Sequence, residues 1–271
     1  MKIFPRQTLR ESVTLEGPGL HSGGPVSVTI HPARDGIHFR LGSERIEAHV
    51  RNVTDTSRCT MLGSISTVEH VLSALAGLAI TDAEIEVSGG ELPAADGCSQ
   101  PYVEAFESVG YESCGTLEIE GPFARVYAVE GQAKFAVAAG EGWWRAEFEL
   151  EDCFIGRQEV EMSWTPTRYA ADVAPARTVV LEWEMEMVKQ YGLGKGLDES
   201  SCLGIGREQY MNPARFSDEP VRHKLLDLIG DLSLAGVPVE ALDVVGERCG
   251  HAVNILAAQR LAERVTIRRV D

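Results

Sequence analysis

VRHKLLDLIGDL, residues 221–232, is a largely apolar stretch in which His223, Asp227 and Asp231 recur at every fourth position. Side chains spaced by four residues lie on one face of a helix, one turn apart. Burying carboxylates without partners is unfavourable, and a cation or a histidine would compensate them. The stretch therefore predicts a buried helix over residues 220–235 with a functional polar stripe rather than a solvated face.

A second segment, STVEH at residues 66–70, opens another apolar stretch, for which we predict a helix over 67–79. Its His70, taken with His223 and Asp227, supplies two imidazoles and a carboxylate. These groups match a catalytic zinc site that leaves one position open for water. The alternative for His70, taken alone, is a histidine packed in the core.

Glu69 stands beside the first histidine and has two interpretations. As a free carboxylate next to a metal ligand, it would act as a general base. In the alternative, Ser66 and Glu69 form a capping box, in which Ser66 caps the helix and Glu69 reaches back to the Ser66 amide. The sequence alone leaves both interpretations open.

His251 follows Gly250 and opens the last predicted helix, residues 252–263. At a helix N-terminus the dipole disfavours a protonated imidazole, and a nearby carboxylate restores it. Asp231, one turn beyond Asp227, is our candidate for that carboxylate.

The composition of the 271 residues argues against several functions. The net charge of −16 disfavours a nucleic-acid partner, which needs a basic face, but it allows an anionic small substrate in a local basic pocket. No apolar run is long enough for a membrane span, and the N-terminus lacks the apolar core of a secretion signal. We therefore expect a cytoplasmic protein with reduced cysteines and, at most, transient contact with a membrane surface.

Two further features carry alternatives. The glycine-rich segment 17–24 would cradle a phosphate through its backbone amides, or it is simply a turn, since it matches no nucleotide-binding fingerprint. Cys59 precedes the first ligand helix, so it either approaches the metal or packs in the core.

Hydrophobic periodicity divides the chain into two similar parts, with a boundary near residues 115–122. In each part, a similar segment (77–87 and 236–245) leads from a ligand-bearing helix into a strand. The predicted elements are paired strands 26–30 and 36–40, helix 67–79, strand 83–87, helix 101–109, paired strands 133–138 and 144–150, helix 179–191, helix 220–235, strand 241–245 and helix 252–263.

Short motifs run through nearly the whole chain in a fixed order. They are QTL (7–9) with GLHSG (19–23), TVEH (67–70) with SALAGL (73–78), LP (92–93) with DG (96–97), ART (176–178), GLGKG (192–196), VRHK (221–224) with DLIGDL (227–232), and GHA (250–252) with Asn254. In order and spacing the set resembles the UDP-3-O-acyl-N-acetylglucosamine deacetylase family, the zinc amidases of lipid A biosynthesis in Gram-negative bacteria.

The resemblance implies an α+β fold of two similar domains, each a sheet packed with two helices, with the active site between them. We place the domains at residues 1–118 and 119–271. The implied substrate is a UDP-linked acylated glucosamine. Its N-acetyl group is hydrolysed, which converts UDP-3-O-[(3R)-3-hydroxyacyl]-N-acetylglucosamine into UDP-3-O-acyl-glucosamine and acetate.

The resemblance also implies a role for each candidate residue. Zn2+ is held by His70, His223 and Asp227, and it lowers the pKa of its bound water to about 7. Glu69 takes the proton from that water as it attacks the amide carbon.

The remaining implied roles concern charge and the leaving group. The Thr178 hydroxyl and the zinc ion stabilise the oxyanion, and Lys224 adds positive charge and helps to hold phosphate. His251, tuned by Asp231, either protonates the leaving nitrogen or stabilises negative charge as an imidazolium.

One departure from the family bears on specificity. The family usually has Thr-Phe-Gly-Phe where this chain has Thr178-Val179-Val180-Leu181, so two aromatic contacts to the substrate are missing. A zinc amidase acting on a different acylated sugar is therefore one alternative. A non-catalytic zinc-binding protein is another, although a structural zinc usually has four protein ligands.

Overall fold

The computed structural model describes residues 1–121 and 125–271, and only the backbone of Lys189. The first half contains β1 (Lys2–Leu9), β2 (Val13–Pro18), β3 (Pro25–Pro32), β4 (Ile37–Leu41), β5 (Glu44–Glu47), β6 (Val53–Asp55), β7 (Met61–Leu62), α1 (Glu69–Gly77), β8 (Ala83–Val87), α2 (Gln100–Val109) and β9 (Tyr111–Glu120). The second half contains β10 (Val126–Glu130), β11 (Ala133–Ala139), β12 (Trp143–Leu150), β13 (Gly156–Ser163), α3 (Pro166–Asp172), β14 (Val179–Leu181), α4 (Met185–Gln190), β15 (Leu203–Ile205), α5 (Glu219–Ser233), β16 (Leu242–Glu247), α6 (His251–Ala262) and β17 (Thr266–Val270).

Two five-stranded sheets have the same strand order and the same pairing directions. The first runs β2-β3-β8-β4-β5 and the second β10-β11-β16-β12-β13. In both, the central strand pairs antiparallel with one neighbour and parallel with the other. The expected α+β fold of two similar sheet-and-helix domains is confirmed.

The helices fill the space against these sheets. In the second domain α5 packs on β12 and β13, and α6 packs on β10 and β11. In the first domain α2 packs on β2, and α1 packs against α2. The helices α1 and α5 also pack against each other, and this contact joins the two domains at the elements that carry the candidate ligands.

Both predicted strand pairings are wrong. Strands 26–30 and 36–40 exist as β3 and β4, but β8 lies between them. Strands 133–138 and 144–150 exist as β11 and β12, but β16 lies between them. Alternating burial identifies a strand with one buried face, as in Val28 and Ile30. It does not identify the neighbour, which in both sheets comes from much later in the chain.

The predicted helices agree with the structure except for one. Residues 179–181 form β14, which pairs in parallel with β15, and the helix α4 begins only at Met185. The β-branched side chains of Val179 and Val180 favour this extended conformation. A 3-10 turn, Glu182–Glu184, connects β14 to α4. Among the described residues, no helix is long and apolar enough to cross a membrane.

A three-stranded sheet of order β1-β9-β17 connects the two ends of the chain. Its central strand β9 continues to Glu120, so the boundary that we place at residues 118/119 falls inside a strand. The predicted boundary segment 115–122 also reaches Pro122, which lies outside the described residues. The domain limits 1–118 and 119–271 remain a proposal.

Candidate metal and catalytic site

The contact between α1 and α5 brings three candidate ligands together. His70 lies in the first turn of α1, and His223 and Asp227 lie one turn apart on α5. All three are at most 5% exposed. One nitrogen from each histidine and one carboxylate oxygen all lie within 4.8 Å of one another. The Nε2 atoms of His70 and His223 are 3.8 and 3.4 Å from Oδ1 of Asp227.

A glycine on α5 allows this close approach. A Cβ atom at Gly230 would lie only 2.1 Å from the backbone oxygen of Glu69 on α1. Because real Cβ atoms do not come so close to backbone, a larger residue at this position would push the two helices apart.

The chemistry of the cluster fits a cation. Oδ1 of Asp227 is buried and has no hydrogen-bond partner among the described residues, although it faces two imidazoles. Nδ1 of His223 donates to the carbonyl oxygen of Ala176 at 3.0 Å, which leaves Nε2 as the acceptor nitrogen. Buried polar atoms are rarely left without a partner, so the unpartnered oxygen is consistent with a metal ligand.

The charge states of the three groups are also those that bind a metal. Burial lowers the pKa of both histidines, that of His70 to about 3, so both imidazoles are neutral. Burial alone would raise the pKa of Asp227, but its interactions with the His223 ring and the Lys224 ammonium hold it below its usual value. Neutral imidazoles and an ionised carboxylate are ready to coordinate without losing protons.

Glu69 is held by the backbone of another segment rather than by a capping box. Its Oε2 accepts a hydrogen bond from the N–H of Thr60 at 3.0 Å. Residue Val68 occupies the N-cap position of α1, and the Ser66 hydroxyl donates instead to Gly90. The capping-box interpretation is wrong, because the left-handed conformation of Thr67 (φ 64°) turns Ser66 away from the helix. Burial raises the pKa of the Glu69 carboxyl to about 8.

The structure brings His251 and Asp231 together. Nδ1 of His251 lies 2.9 Å from Oδ2 of Asp231, and Asn254 donates to the same oxygen at 2.9 Å. Nε2 of His251 faces Oε1 of Glu69 at 4.0 Å. Burial alone would lower the pKa of His251, but the charge and hydrogen bond of Asp231 raise it to about 10. The imidazole is therefore a cation at neutral pH.

Thr178 and Lys224 line the same cavity, and both already have partners. The hydroxyl of Thr178 donates to the carbonyl oxygen of Gly97 at 3.0 Å, and so does its backbone N–H at 2.7 Å. Nζ of Lys224 donates to Oδ2 of Asp227 at 3.1 Å. A new bond from the Thr178 hydroxyl to an oxyanion therefore requires that it release Gly97.

The cavity over the cluster has a volume of about 500 Å3, and its lining combines carboxylates with three cationic side chains. Arg58, Lys224 and Arg248 all line it, although the protein as a whole is strongly acidic. The sequence analysis singled out only Lys224. No sequence pattern marks Arg58 or Arg248, because their proximity arises from the tertiary fold.

Two alternatives left open by the sequence are decided here. In the glycine-rich segment 17–24, the N–H groups of His21 and Ser22 donate to the carboxylate of Glu91. They are not available to a phosphate; residues 17 and 18 end β2, and residues 19–24 form a turn. Cys59 lines the cavity but lies outside the His–His–Asp cluster, and burial raises the pKa of its thiol to about 12.

A second, apolar cavity of about 280 Å3 lies on the other side of β14. The segment from β14 to β15 supplies most of its walls. Its apolar lining residues are Val180, Met185, Val188, Leu193, Leu197 and Met211.

The buried His–His–Asp cluster lines one cavity together with the Glu69 carboxylate and the His251 imidazolium, an arrangement typical of metal-dependent hydrolases. The sequence model of the UDP-3-O-acyl N-acetylglycosamine deacetylase family matches residues 6–263. The chain belongs to this family, which confirms the resemblance drawn from its motifs.

Three relatives named UDP-3-O-acyl-N-acetylglucosamine deacetylase illustrate the similarity. The protein from Aquifex aeolicus is 34% identical, over 97% of this chain and 95% of its own. The one from Nostoc sp. is 35% identical, over 94% and 98%. The one from Geobacter sp. is 32% identical, over 96% and 89%. These matches make the chain an enzyme of the deacetylase type.

Proposed function

We propose that this protein is a zinc-dependent deacetylase of lipid A biosynthesis. Its substrate would be UDP-3-O-[(3R)-3-hydroxyacyl]-N-acetylglucosamine, and its products UDP-3-O-acyl-glucosamine and acetate. Family membership supports the substrate class. The observation that carries the zinc chemistry is the unpartnered, buried Oδ1 of Asp227, which faces the Nε2 atoms of two neutral histidines.

His70, His223 and Asp227 would hold the ion, leaving a position open for water. When bound there, a zinc ion supplies positive charge that activates water near neutral pH and polarises the amide carbonyl. The carbonyl oxygen of Ala176 accepts from Nδ1 of His223 and so orients the ring with Nε2 toward the site.

Glu69 and His251 would move the protons. Oε2 of Glu69 is held by the N–H of Thr60, which leaves Oε1 to take a proton from water as the water oxygen bonds to the acetyl carbon. The amide C–N bond then breaks, and Nε2 of His251 gives its proton to the departing nitrogen. Acetate and a free amine result.

Thr178 and Lys224 would stabilise negative charge on the acetyl oxygen. Donors aimed at a developing oxyanion contribute about 3–4 kcal/mol each in comparable sites. Thr178 serves this role by exchanging its bond to Gly97 for a bond to the oxyanion.

The two cavities suit the other parts of the substrate. Arg58, Lys224 and Arg248 in the larger cavity would bind the diphosphate, and Arg248 would exchange part of its pairing with Glu149 for this contact. The apolar cavity beside β14 would receive the acyl chain, at about 0.8 kcal/mol for each buried methylene. Val179 lines the larger cavity where the family usually has an aromatic residue, which favours an amidase for a different acylated sugar as the second candidate.

Acetate release by the purified protein tests the proposal. We expect turnover of UDP-3-O-acyl-N-acetylglucosamine, loss of turnover with a chelator, and recovery on adding zinc. UDP-N-acetylglucosamine without the acyl chain is the matched control and should react far more slowly. Hydroxamate binding without turnover of the UDP substrate would favour the second candidate. Absence of both would mean a non-catalytic zinc-binding protein.

A further inference from the structure

Thr60, which immediately precedes β7, contacts Glu69, Asp231 and His251; its hydroxyl oxygen lies 3.3 Å from Nδ1 of His251. Its backbone N–H donates to Oε2 of Glu69 at 3.0 Å, and its hydroxyl donates to Oδ1 of Asp231 at 2.5 Å. Its carbonyl oxygen accepts from the N–H of Val68, just before α1. The residue is completely buried, and these contacts join it to both ligand-bearing helices.

The hydroxyl of Thr60 completes the set of donors around Asp231. Oδ1 of that carboxylate is bound by Thr60, and Oδ2 by His251 and Asn254. The two oxygens therefore accept hydrogen bonds from different donors, and together these bonds fix the plane of the carboxylate. Without the hydroxyl, Oδ1 would be a buried acceptor without its donor, and the carboxylate would turn to share its remaining partners.

The orientation of the Asp231 carboxylate determines the orientation of the His251 ring. Because Nδ1 of His251 is bound by Asp231, the ring presents Nε2 toward Oε1 of Glu69, 4.0 Å away. The backbone of Thr60 fixes the other oxygen of Glu69. One residue thus sets the spacing between the group that takes a proton and the group that gives one.

We propose that the Thr60 hydroxyl is a positioning group of the reaction: it orients Asp231 and, through Asp231, aims Nε2 of His251 at the leaving nitrogen. This role rests on the proposed function. The hydrogen bond from the Thr60 N–H to Glu69 does not depend on the side chain. Substitutions at Thr60 therefore change the contact with Asp231 and keep the contact with Glu69.

The central experiment compares Thr60→Val with Thr60→Ser. Valine keeps the shape and removes the hydroxyl, whereas serine keeps the hydroxyl and removes a methyl group. We expect Thr60→Val to lower kcat about 10- to 100-fold, as is typical when a group that supports a catalytic residue is removed. KM and the zinc content should stay near those of the unmodified protein, and Thr60→Ser should recover most of kcat.

Thr8→Val is the matched control for the loss of a buried hydroxyl. Thr8 is also buried, and its hydroxyl oxygen accepts from the N–H of Ala33, in a part of β1 that does not line the catalytic cavity. We expect it to lower the melting temperature without changing kcat per folded molecule. If Thr60→Val behaves in the same way, the hydroxyl has only a structural role and the inference is overturned.

A double-mutant cycle tests whether Thr60 acts through Asp231. In the background of Asp231→Asn, the further change Thr60→Val should cost much less than tenfold, because the carboxylate that it orients is gone. Additive losses would overturn the inference.

If Thr60→Val does not fold, Thr60→Cys replaces it in the comparison with Thr60→Ser, because a thiol is only a weak hydrogen-bond donor. An unmodified protein that releases no acetate would overturn the proposed function itself, whereas an active protein with an unaffected Thr60→Val overturns only this inference.

Discussion

Asp227, at the scale of single residues, has a buried oxygen without a hydrogen-bond partner among the described residues, as expected of a metal ligand. We therefore expect one zinc ion per chain in the unmodified protein. His70→Ala and His223→Ala should each lose most of it, since each removes one of three ligands. His31→Ala, which changes a partly exposed histidine on the first sheet, is the control and should keep its zinc. Elemental analysis of the purified variants decides, and full zinc in both site variants would contradict the cluster.

Glu69 should matter for the rate and little for the fold. Glu69→Gln keeps an oxygen that can accept from the N–H of Thr60, but it cannot take a proton. We expect kcat to fall by about 10²–10⁴, with the zinc content and the melting temperature close to those of the unmodified protein. A large drop in melting temperature with little change in rate would point to a structural role instead.

The pH dependence should depend on the pair of His251 and Asp231. The carboxylate of Asp231 raises the pKa of His251 to about 10 against the effect of burial. In Asp231→Asn burial remains and the carboxylate charge is lost, so the pKa falls and the protonated form disappears at lower pH. The alkaline limb of the kcat profile should then move to lower pH. An unchanged limb would show that it reports another group.

The candidate ligand cluster could be predicted from the sequence because it depends on the residue types and their spacing along two helices. His223 and Asp227 share a helix face, and His70 opens a second helix. The sequence could not decide between the two interpretations of Glu69, because the choice depends on the φ angle of one threonine. Thr60 was missed altogether, since its contacts join segments far apart in the chain.

At the scale of elements, the approach of α1 and α5 depends on Gly230. Gly230→Ala places a methyl group against the backbone of Glu69, and overpacking of this kind costs about 1–3 kcal/mol. We also expect weaker zinc binding, because the two ligand-bearing helices must separate. Chelator competition and thermal unfolding measure the two effects. Gly24→Ala, where the nearest atom is 3.8 Å away, is the control.

The elements themselves were easier to predict than their partners. The helix α5 was expected over 220–235 and spans 219–233, and the strand expected over 83–87 is β8. Both strand pairings failed for the same reason: a short glycine-containing connection looked like a hairpin turn, although a distant strand lies between its two arms. Hydrogen-bond partners in a sheet depend on the whole topology, which local alternation does not encode.

At the scale of the whole molecule, Arg6 connects the first strand to the rest of the fold. It is completely buried and pairs with Asp82 at 2.8 Å and with Asp271 near the end of β17 at 3.0 Å. Arg6→Met removes the closer of two arginines that pair with the buried Asp82 and leaves Arg269, whose Nε is 4.0 Å from Oδ1. Removing one partner of a buried ion pair typically costs about 3–5 kcal/mol, and the remaining arginine places the expected loss at the lower end of that range.

Urea unfolding measures this loss, and an exposed ion pair provides the comparison. Arg34→Met removes the partner of Glu112 at the surface, where a pair contributes less than about 1 kcal/mol. Equal losses of unfolding free energy in the two variants would contradict the expectation that the buried ion pair of Arg6 matters more for stability than the exposed pair of Arg34.

The order of the strands also has a consequence for synthesis on the ribosome. In both large sheets the central strand, β8 or β16, is the last of its five to emerge. Until then the growing chain holds two separate hairpins, each with an exposed edge ready to pair with another molecule. The second sheet can form only after β16 has emerged, more than 100 residues after β10. Chains released before β16 has emerged would therefore lack the second sheet and be prone to aggregate.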